Sequence, residues 1–119
     1  MPADDVVLVV EDEEEARTFL VQILELEGFN ARGFGNGAEA LEYLQKAEPP
    51  CLIVLDLLMP VMDGPQFRAA QLCDPRLAKV PVIVVTALEP SAAMGLSPLR
   101  IFRKPVNIEG LIKVVRDNC

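Results

Sequence analysis

Five side chains able to do chemistry stand at the downstream ends of apolar runs. Glu11 and Asp12 follow Val6–Val10, Asp56 closes Cys51–Asp56, Thr86 closes Pro81–Thr86, and Lys104 follows Arg100–Arg103. Carboxylates clustered without histidine or thiolate are the donor set of a hard cation such as Mg²⁺. An ammonium and a hydroxyl can hold the oxygens of a phosphoryl group as charge moves onto it. A carboxylate can also attack phosphorus and carry the group as an acyl phosphate. Asp56 alone would mean little, because Asp commonly opens the turn after a strand. The pattern lies in all five residues, whose types suit one reaction, sharing the same kind of position.

Val6–Val10, Cys51–Asp56 and Pro81–Thr86 read as strands buried on both faces, being short, apolar, largely β-branched or leucine and bounded by turn residues; Arg100–Arg103 reads as a short final strand. Helices alternate with them. The first spans roughly Glu13 to Glu27, with Ala16, Phe19, Leu20, Ile23 and Leu24 at helical spacing, an acidic first turn and Gly28 as its stop. A weaker strand, Asn30–Phe34, is less apolar and suits a sheet edge. Asn36 and Glu39 form a capping pair for a second helix, whose buried face is Ala38, Leu41 and Leu44. After Asp56 comes a loop with Pro60 and Asp63-Gly64, then a helix from about Gly64 to Cys73, with Phe67, Ala70 and Leu72 inward. Between Ala87 and Arg100, Pro90, Gly95 and Pro98 allow at most a helix of a turn or two. Asn107 caps a last helix that buries Ile108, Leu111, Ile112 and Val115.

This is β-α repeated five times. Parallel strands need crossover helices, and right-handed crossovers place helices on both faces. The expected fold is α/β, a doubly wound five-stranded parallel sheet in order 2-1-3-4-5 with a shortened or irregular fourth helix. Ligands bind outside the carboxyl ends of such strands, where strands one and three meet. Glu11, Asp12 and Asp56 then converge there with nothing positive between them, and Thr86 and Lys104 stand on the other side of Asp56. Like charges that close are unfavourable unless a proton or a cation intervenes.

The composition sets limits. A chain of 119 residues is one domain of ordinary size, and 51% hydrophobic against 24% charged residues makes it globular. A net charge of −7 argues against binding nucleic acid directly. No stretch is apolar enough to span a bilayer, and Met1–Asp5 lacks the positive region of a signal peptide. Cys51, Cys73 and Cys119 are odd in number and in no metal spacing. Cys51 reads as a small core residue, Cys73 as a helix end and Cys119 as exposed, which together suggest a reduced cytoplasmic setting.

Glu11-Asp12, the stretch Leu55 to Gly64, Val85-Thr86-Ala87 and Lys104-Pro105 resemble the receiver domain of two-component response regulators, the CheY-like superfamily of the flavodoxin-like (βα)5 fold. The resemblance covers almost the whole chain. It implies one receiver domain over residues 1–119, with no output domain in this chain. By that resemblance Asp56 accepts a phosphoryl group from a phosphohistidine. Glu11, Asp12 and Asp56 hold Mg²⁺ (Mn²⁺ could substitute) with the backbone carbonyl of Leu58. Lys104 and Thr86 bind the phosphoryl group, and Ala87 is small enough to leave Asp56 accessible. The partner is a sensor histidine kinase or a histidine phosphotransfer protein, and the resemblance fits equally a stand-alone receiver, a piece of a larger regulator and the receiver of a hybrid kinase. The domain is a switch and not an enzyme, although it assists its own phosphorylation and dephosphorylation.

Three positions depart from the family pattern. Ile101 occupies the usual aromatic switch position and Phe102 lies next to it, more readily a core residue than a switch. The stretch from Thr86 to Lys104 is short, which leaves dimerisation through the usual face open. Leu58 and Leu88 stand where side chains tune hydrolysis of the acyl phosphate. Being apolar, they cannot orient a water, so slow loss is expected. Other readings fit less well. A flavin site needs a first loop that accepts phosphate, and Glu11–Glu15 would repel it. A haloacid-dehalogenase-type phosphatase needs a second Asp where Leu58 stands. There is no P-loop for a GTPase. The remaining alternative is a pseudo-receiver, the same fold used as a phosphorylation-independent interaction module.

Overall fold

The computed structural model describes residues 6–59 and 61–119. The expectations for Met1–Asp5 and for Pro60 lie outside the described residues. The strands are β1 (Val6–Val10), β2 (Asn30–Phe34), β3 (Leu52–Asp56), β4 (Val82–Thr86) and β5 (Arg100–Arg103). The helices are α1 (Glu14–Leu26), α2 (Gly37–Lys46), α3 (Gly64–Leu72) and α4 (Ile108–Asn118). A 3-10 helix, Pro90–Leu96, stands between β4 and β5. The sheet is parallel throughout, in the expected order β2-β1-β3-β4-β5.

Alternation along the strands builds two cores. Val7 and Val9, Leu52 and Val54, and Ile83 and Val85 point to one face, where Leu20 and Leu24 of α1 and Leu111 and Val115 of α4 cover them. Leu8 and Val10, Ile53 and Leu55, and Val82 and Val84 point to the other, under Ala40 and Leu44 of α2 and Phe67 of α3. Both faces are buried, so the three central strands, β1, β3 and β4, carry no polar residue until their carboxyl ends.

The helix ends follow local chemistry. The Asn36 side chain accepts from the Glu39 N–H at 2.9 Å, and Asn107 accepts from the Gly110 N–H at 3.1 Å. Asp63 and Gln66 cap α3 reciprocally. Gly28, at φ +96°, ends α1 in a conformation that glycine adopts without a Cβ penalty. The fourth helix is replaced by the 3-10 turns, in line with Pro90 and Pro98.

Four packing expectations need correction. Leu72 is 50% exposed, and α3 instead buries Arg68 and Gln71. Helix α2 buries Ala40, one turn-face away from the half-buried Ala38. Val114 is buried in α4, while Ile108 is only partly so. Cys51 and Cys119 are not separate thiols: they form a disulfide that joins the start of β3 to the end of α4. Their 68-residue separation concealed a pairing that only the fold brings about. Cys73 is a free, exposed thiol capping α3.

Candidate functional site

The register explains the convergence. Val10 pairs with Leu55, so the residues just past β1 lie beside Asp56 at the end of β3. Suitable oxygens of Glu11, Asp12 and Asp56 all lie within 4.8 Å of one another. Glu11 and Asp56 are buried, and Asp12 is exposed. The Glu11 N–H donates to the Phe34 carbonyl at 3.0 Å, which ties this turn to the end of β2. The Glu13 N–H donates to Glu11 Oε2 at 3.2 Å.

Helix α3 closes the opposite side. Gly64 N–H donates to the Leu57 carbonyl at 2.9 Å. A Cβ on Gly64 would lie 2.8 Å from the Asp56 carbonyl oxygen and from Leu57 Cα. Only glycine permits that approach, which presses the helix start against the backbone that carries Asp56.

Lys104 sits differently from expectation. Its Nζ donates to Glu11 Oε1 at 2.9 Å and lies 3.7 Å from Asp56 Oδ2. A positive charge therefore bridges two of the three carboxylates, where none was expected between them. The long lysine stem allows this: it reaches from the end of β5 across the end of β4. Burial pushes the Asp56 carboxyl up, and the neighbouring Glu11 charge pushes it further, to about 7, against the pull of Lys104. Burial also acts to raise Glu11. Its bonds to Lys104 and to the Glu13 N–H outweigh this and hold it below the ordinary value. Burial would lower Lys104, but its two carboxylate partners raise it.

The remaining candidates lie around this centre. Thr86 is fully buried at the end of β4, and its hydroxyl accepts from the Leu88 N–H at 2.9 Å. Ala87 and Leu88 follow it, both exposed, and Leu58 is 59% exposed beyond Asp56. Ile101 and Phe102 split between the two cores. Ile101 packs partly buried on the α2–α3 side, and Phe102 is buried on the α1–α4 side. Phe19 is 50% exposed, contrary to its place in the helical pattern. It lines an apolar cleft of about 380 Å³ beside Lys104, with Leu20, Pro105 and Val106.

One contributor had no place in the sequence reading. Arg17 Nη1 donates to the Glu11 carbonyl at 2.8 Å and lies 3.5 Å from that of Asp12. The available signal was a lone cation in the acidic stretch from Glu11 to Glu15 and the first turn of α1.

An open α/β sheet with acidic side chains and one lysine gathered at its switch point defines a class: a carboxylate-centred site for a cation and an anionic group. The response regulator receiver domain model matches residues 7–116, and the chain belongs to that family. It is 34% identical over 117 residues to the response regulator receiver protein CpdR of Brucella abortus (strain 2308), with 92% of each chain covered. A response regulator receiver protein from Pseudomonas putida has the same fold, with TM-score 0.89 and 28% identity over 98% of this chain and 99% of that one. So does the signal receiver domain of a histidine kinase from Syntrophus aciditrophicus, with TM-score 0.86 and 31% identity over 95% of this chain and 88% of that one. The protein is thus a signalling domain of the two-component type. Among the described residues no helix is long and apolar enough to cross a membrane.

Proposed function

We propose that the chain is a phosphoacceptor: Asp56 takes a phosphoryl group from a phosphohistidine, and the new charge switches the domain's interaction surface. The observation behind this reading is that oxygens of Asp56, Glu11 and Asp12 lie within 4.8 Å of one another, with Lys104 Nζ bridging Glu11 at 2.9 Å and Asp56 at 3.7 Å. Three carboxylates, two buried and Asp12 open to solvent, gathered without nitrogen or sulfur ligands, fit Mg²⁺, or Mn²⁺ in its place. Glu11, Asp12, Asp56 and the Leu58 carbonyl would hold it. Bound there, the cation supplies charge neutralisation to the phosphoryl oxygens.

The chain's own groups do the rest. An Asp56 carboxylate oxygen attacks phosphorus; the P–N bond of the donor breaks as the P–O bond forms. Lys104 exchanges its bond to Glu11 for the phosphoryl oxygens. Thr86, released from the Leu88 N–H, turns its hydroxyl to the same group. Small Ala87 leaves that path open. The β4–β5 connection is rebuilt by these movements, so the change at Asp56 reaches the surface. Ile101 and Phe102, held in separate cores, follow that rearrangement and do not initiate it.

The donor is a sensor histidine kinase or a histidine phosphotransfer protein in the cytoplasm, and the apolar cleft beside Lys104 offers it a surface. The unit is one receiver domain that acts on whatever kinase or output domain it is joined to or meets, without touching nucleic acid itself. Leu58 and Leu88 leave no polar side chain to orient a water at Asp56, so the acyl phosphate is long-lived.

The test is intact mass after incubation with a small phosphodonor, with and without Mg²⁺, beside Asp56→Asn. One added phosphoryl group that needs both Mg²⁺ and Asp56 supports the proposal. A folded protein that gains none under any donor or metal would instead be a phosphorylation-independent interaction module. Decay of the adduct tests the lifetime: Leu58→Asn should speed loss, with the roughly 10²-fold of a positioned general base as the ceiling for a side chain that only holds the water.

A further inference from the structure

We propose that Arg17 is a positioning residue for the metal site, fixing the Glu11–Asp12 backbone from below, and that Gly33 and Gly35 exist in β2 and its exit to give its side chain room. The proposal rests on the reading of Glu11, Asp12 and Asp56 as Mg²⁺ ligands.

Two of the three carboxylates sit on consecutive residues of one turn, so their aim depends on how that turn is held. The Glu11 N–H is tied to the Phe34 carbonyl at 3.0 Å. Its carbonyl is tied to Arg17 Nη1 at 2.8 Å, and the Asp12 carbonyl lies 3.5 Å from the same nitrogen. One guanidinium from the first turns of α1 thus reaches back to the two peptides that carry the ligands. Arginine suits this because its planar fork loses little freedom per bond made.

The path of the side chain depends on β2. A Cβ on Gly33 would stand 2.9 Å from Arg17 Cγ and 3.1 Å from Cδ; one on Gly35 would stand 3.3 Å from Nη1. The Arg17 stem therefore lies along a groove that two alternate glycines leave at the edge of the sheet. Glycine in a strand weakens it, and often marks a close approach by another group. Here that group is Arg17.

Charge and position pull in opposite directions, which makes the idea testable. A guanidinium near a cation site repels the cation. If Arg17 acted only as a charge, its removal would tighten Mg²⁺ binding. If it positions ligands, removal loosens binding. Loss of a group that orients ligands from behind typically costs about 10- to 100-fold in metal affinity.

The experiment is calorimetric titration of Mg²⁺ into the wild-type protein, Arg17→Met and Gly33→Ala, at low and high salt, with melting followed by far-UV circular dichroism. Arg17→Met keeps the stem and removes the donors; its affinity should fall about tenfold. Gly33→Ala keeps every charge but displaces the stem, and should weaken binding in the same direction by a few-fold. Both losses should persist at high salt, where a charge effect would be screened. A purely structural role would lower the melting temperature and leave the affinity of the folded protein unchanged, which overturns the proposal, as does tighter binding by Arg17→Met. If Arg17→Met does not fold, Gly33→Ala carries the same test. No Mg²⁺ binding by the wild-type protein overturns the metal-site reading and the positioning claim together; wild-type binding that both variants match overturns the positioning claim alone.

Discussion

At the proposed metal site Asp56 would have to give up a proton before holding a cation, and its surroundings oppose that step. Burial and the Glu11 charge raise its carboxyl to about 7, well above the unfolded value of 3.8. A raised carboxyl contributes stability that is complete below the unfolded value and disappears as pH rises through the folded one. In the absence of divalent cations the protein should therefore melt higher at pH 6 than at pH 8. Asp56→Asn should remove most of that difference and raise the pH 8 melting temperature. A wild-type melting temperature at pH 8 equal to or above that at pH 6 would contradict this. Magnesium bound at the proposed site should invert the order, because binding must displace the proton: below about 7, apparent affinity should drop about tenfold per pH unit for one proton released. A second residue carries strain. Val61 has φ +66°, a left-handed conformation that β-branched residues avoid, and it is exposed, so no packing offsets the cost. Val61→Gly should stabilise the fold by about 1 kcal/mol in chemical denaturation, whereas a loss of stability there would show that the valine side chain is doing something the backbone angle does not reveal.

At the scale of elements, the point of interest is the segment that replaces a fourth helix. Prolines and a glycine restrict it to a 3-10 helix, Pro90–Leu96, and side chains from α3 hold its end. Arg68 donates to the Leu96 and Ser97 carbonyls at 2.9 and 3.2 Å and to Gln71 Oε1 at 2.8 Å. Gln71, fully buried, passes the link on to the Leu77 and Val80 carbonyls at 2.9 and 3.0 Å, just ahead of β4. Gln71→Leu keeps the volume but removes the donor to the Val80 carbonyl, one of two donors to the Leu77 carbonyl and one of three acceptors of Arg68. Leaving a buried polar group unpaired costs about 1–3 kcal/mol, so a loss of about that size is expected, with faster amide exchange in residues 90–97. An unchanged exchange rate there would mean that the short helix stands without α3. Periodicity placed α3 correctly and misjudged its inward face, for a physical reason. A hydrophobic pattern assumes an apolar neighbour, and α3 faces loop carbonyls here, so arginine and glutamine go in and Leu72 stays out. The strands were legible because both their faces are buried and their chemistry is confined to one end. Lys104 was less so: a position at a strand end does not say which way a flexible four-carbon stem will lean.

For the molecule as a whole, order of elements and strand-end residues were enough to anticipate the sheet and the gathering of Glu11, Asp12, Asp56 and Lys104. What stayed hidden came from the closed fold, in which the last helix returns to the amino end of β3. Only that return puts Cys119 beside Cys51, on the side of the sheet away from Asp56. The bridge closes a loop of 68 residues that contains β3, α3, β4, the 3-10 helix, β5 and α4. By the chain-entropy argument, a closed loop of that length stabilises the fold by about 4 kcal/mol relative to the open chain. The oxidised protein should thus be lighter by two hydrogens and take up alkylating reagent at Cys73 alone without unfolding. Reduction, or the double change Cys51→Ser and Cys119→Ser, should lower the denaturation midpoint while leaving the proposed phosphoryl uptake at Asp56 in place, since the bridge and Asp56 lie at opposite ends of β3. Three alkylated thiols in protein purified without reductant, with no change in midpoint on reduction, would instead place α4 against the sheet by packing of Leu111, Ile112 and Val115 alone.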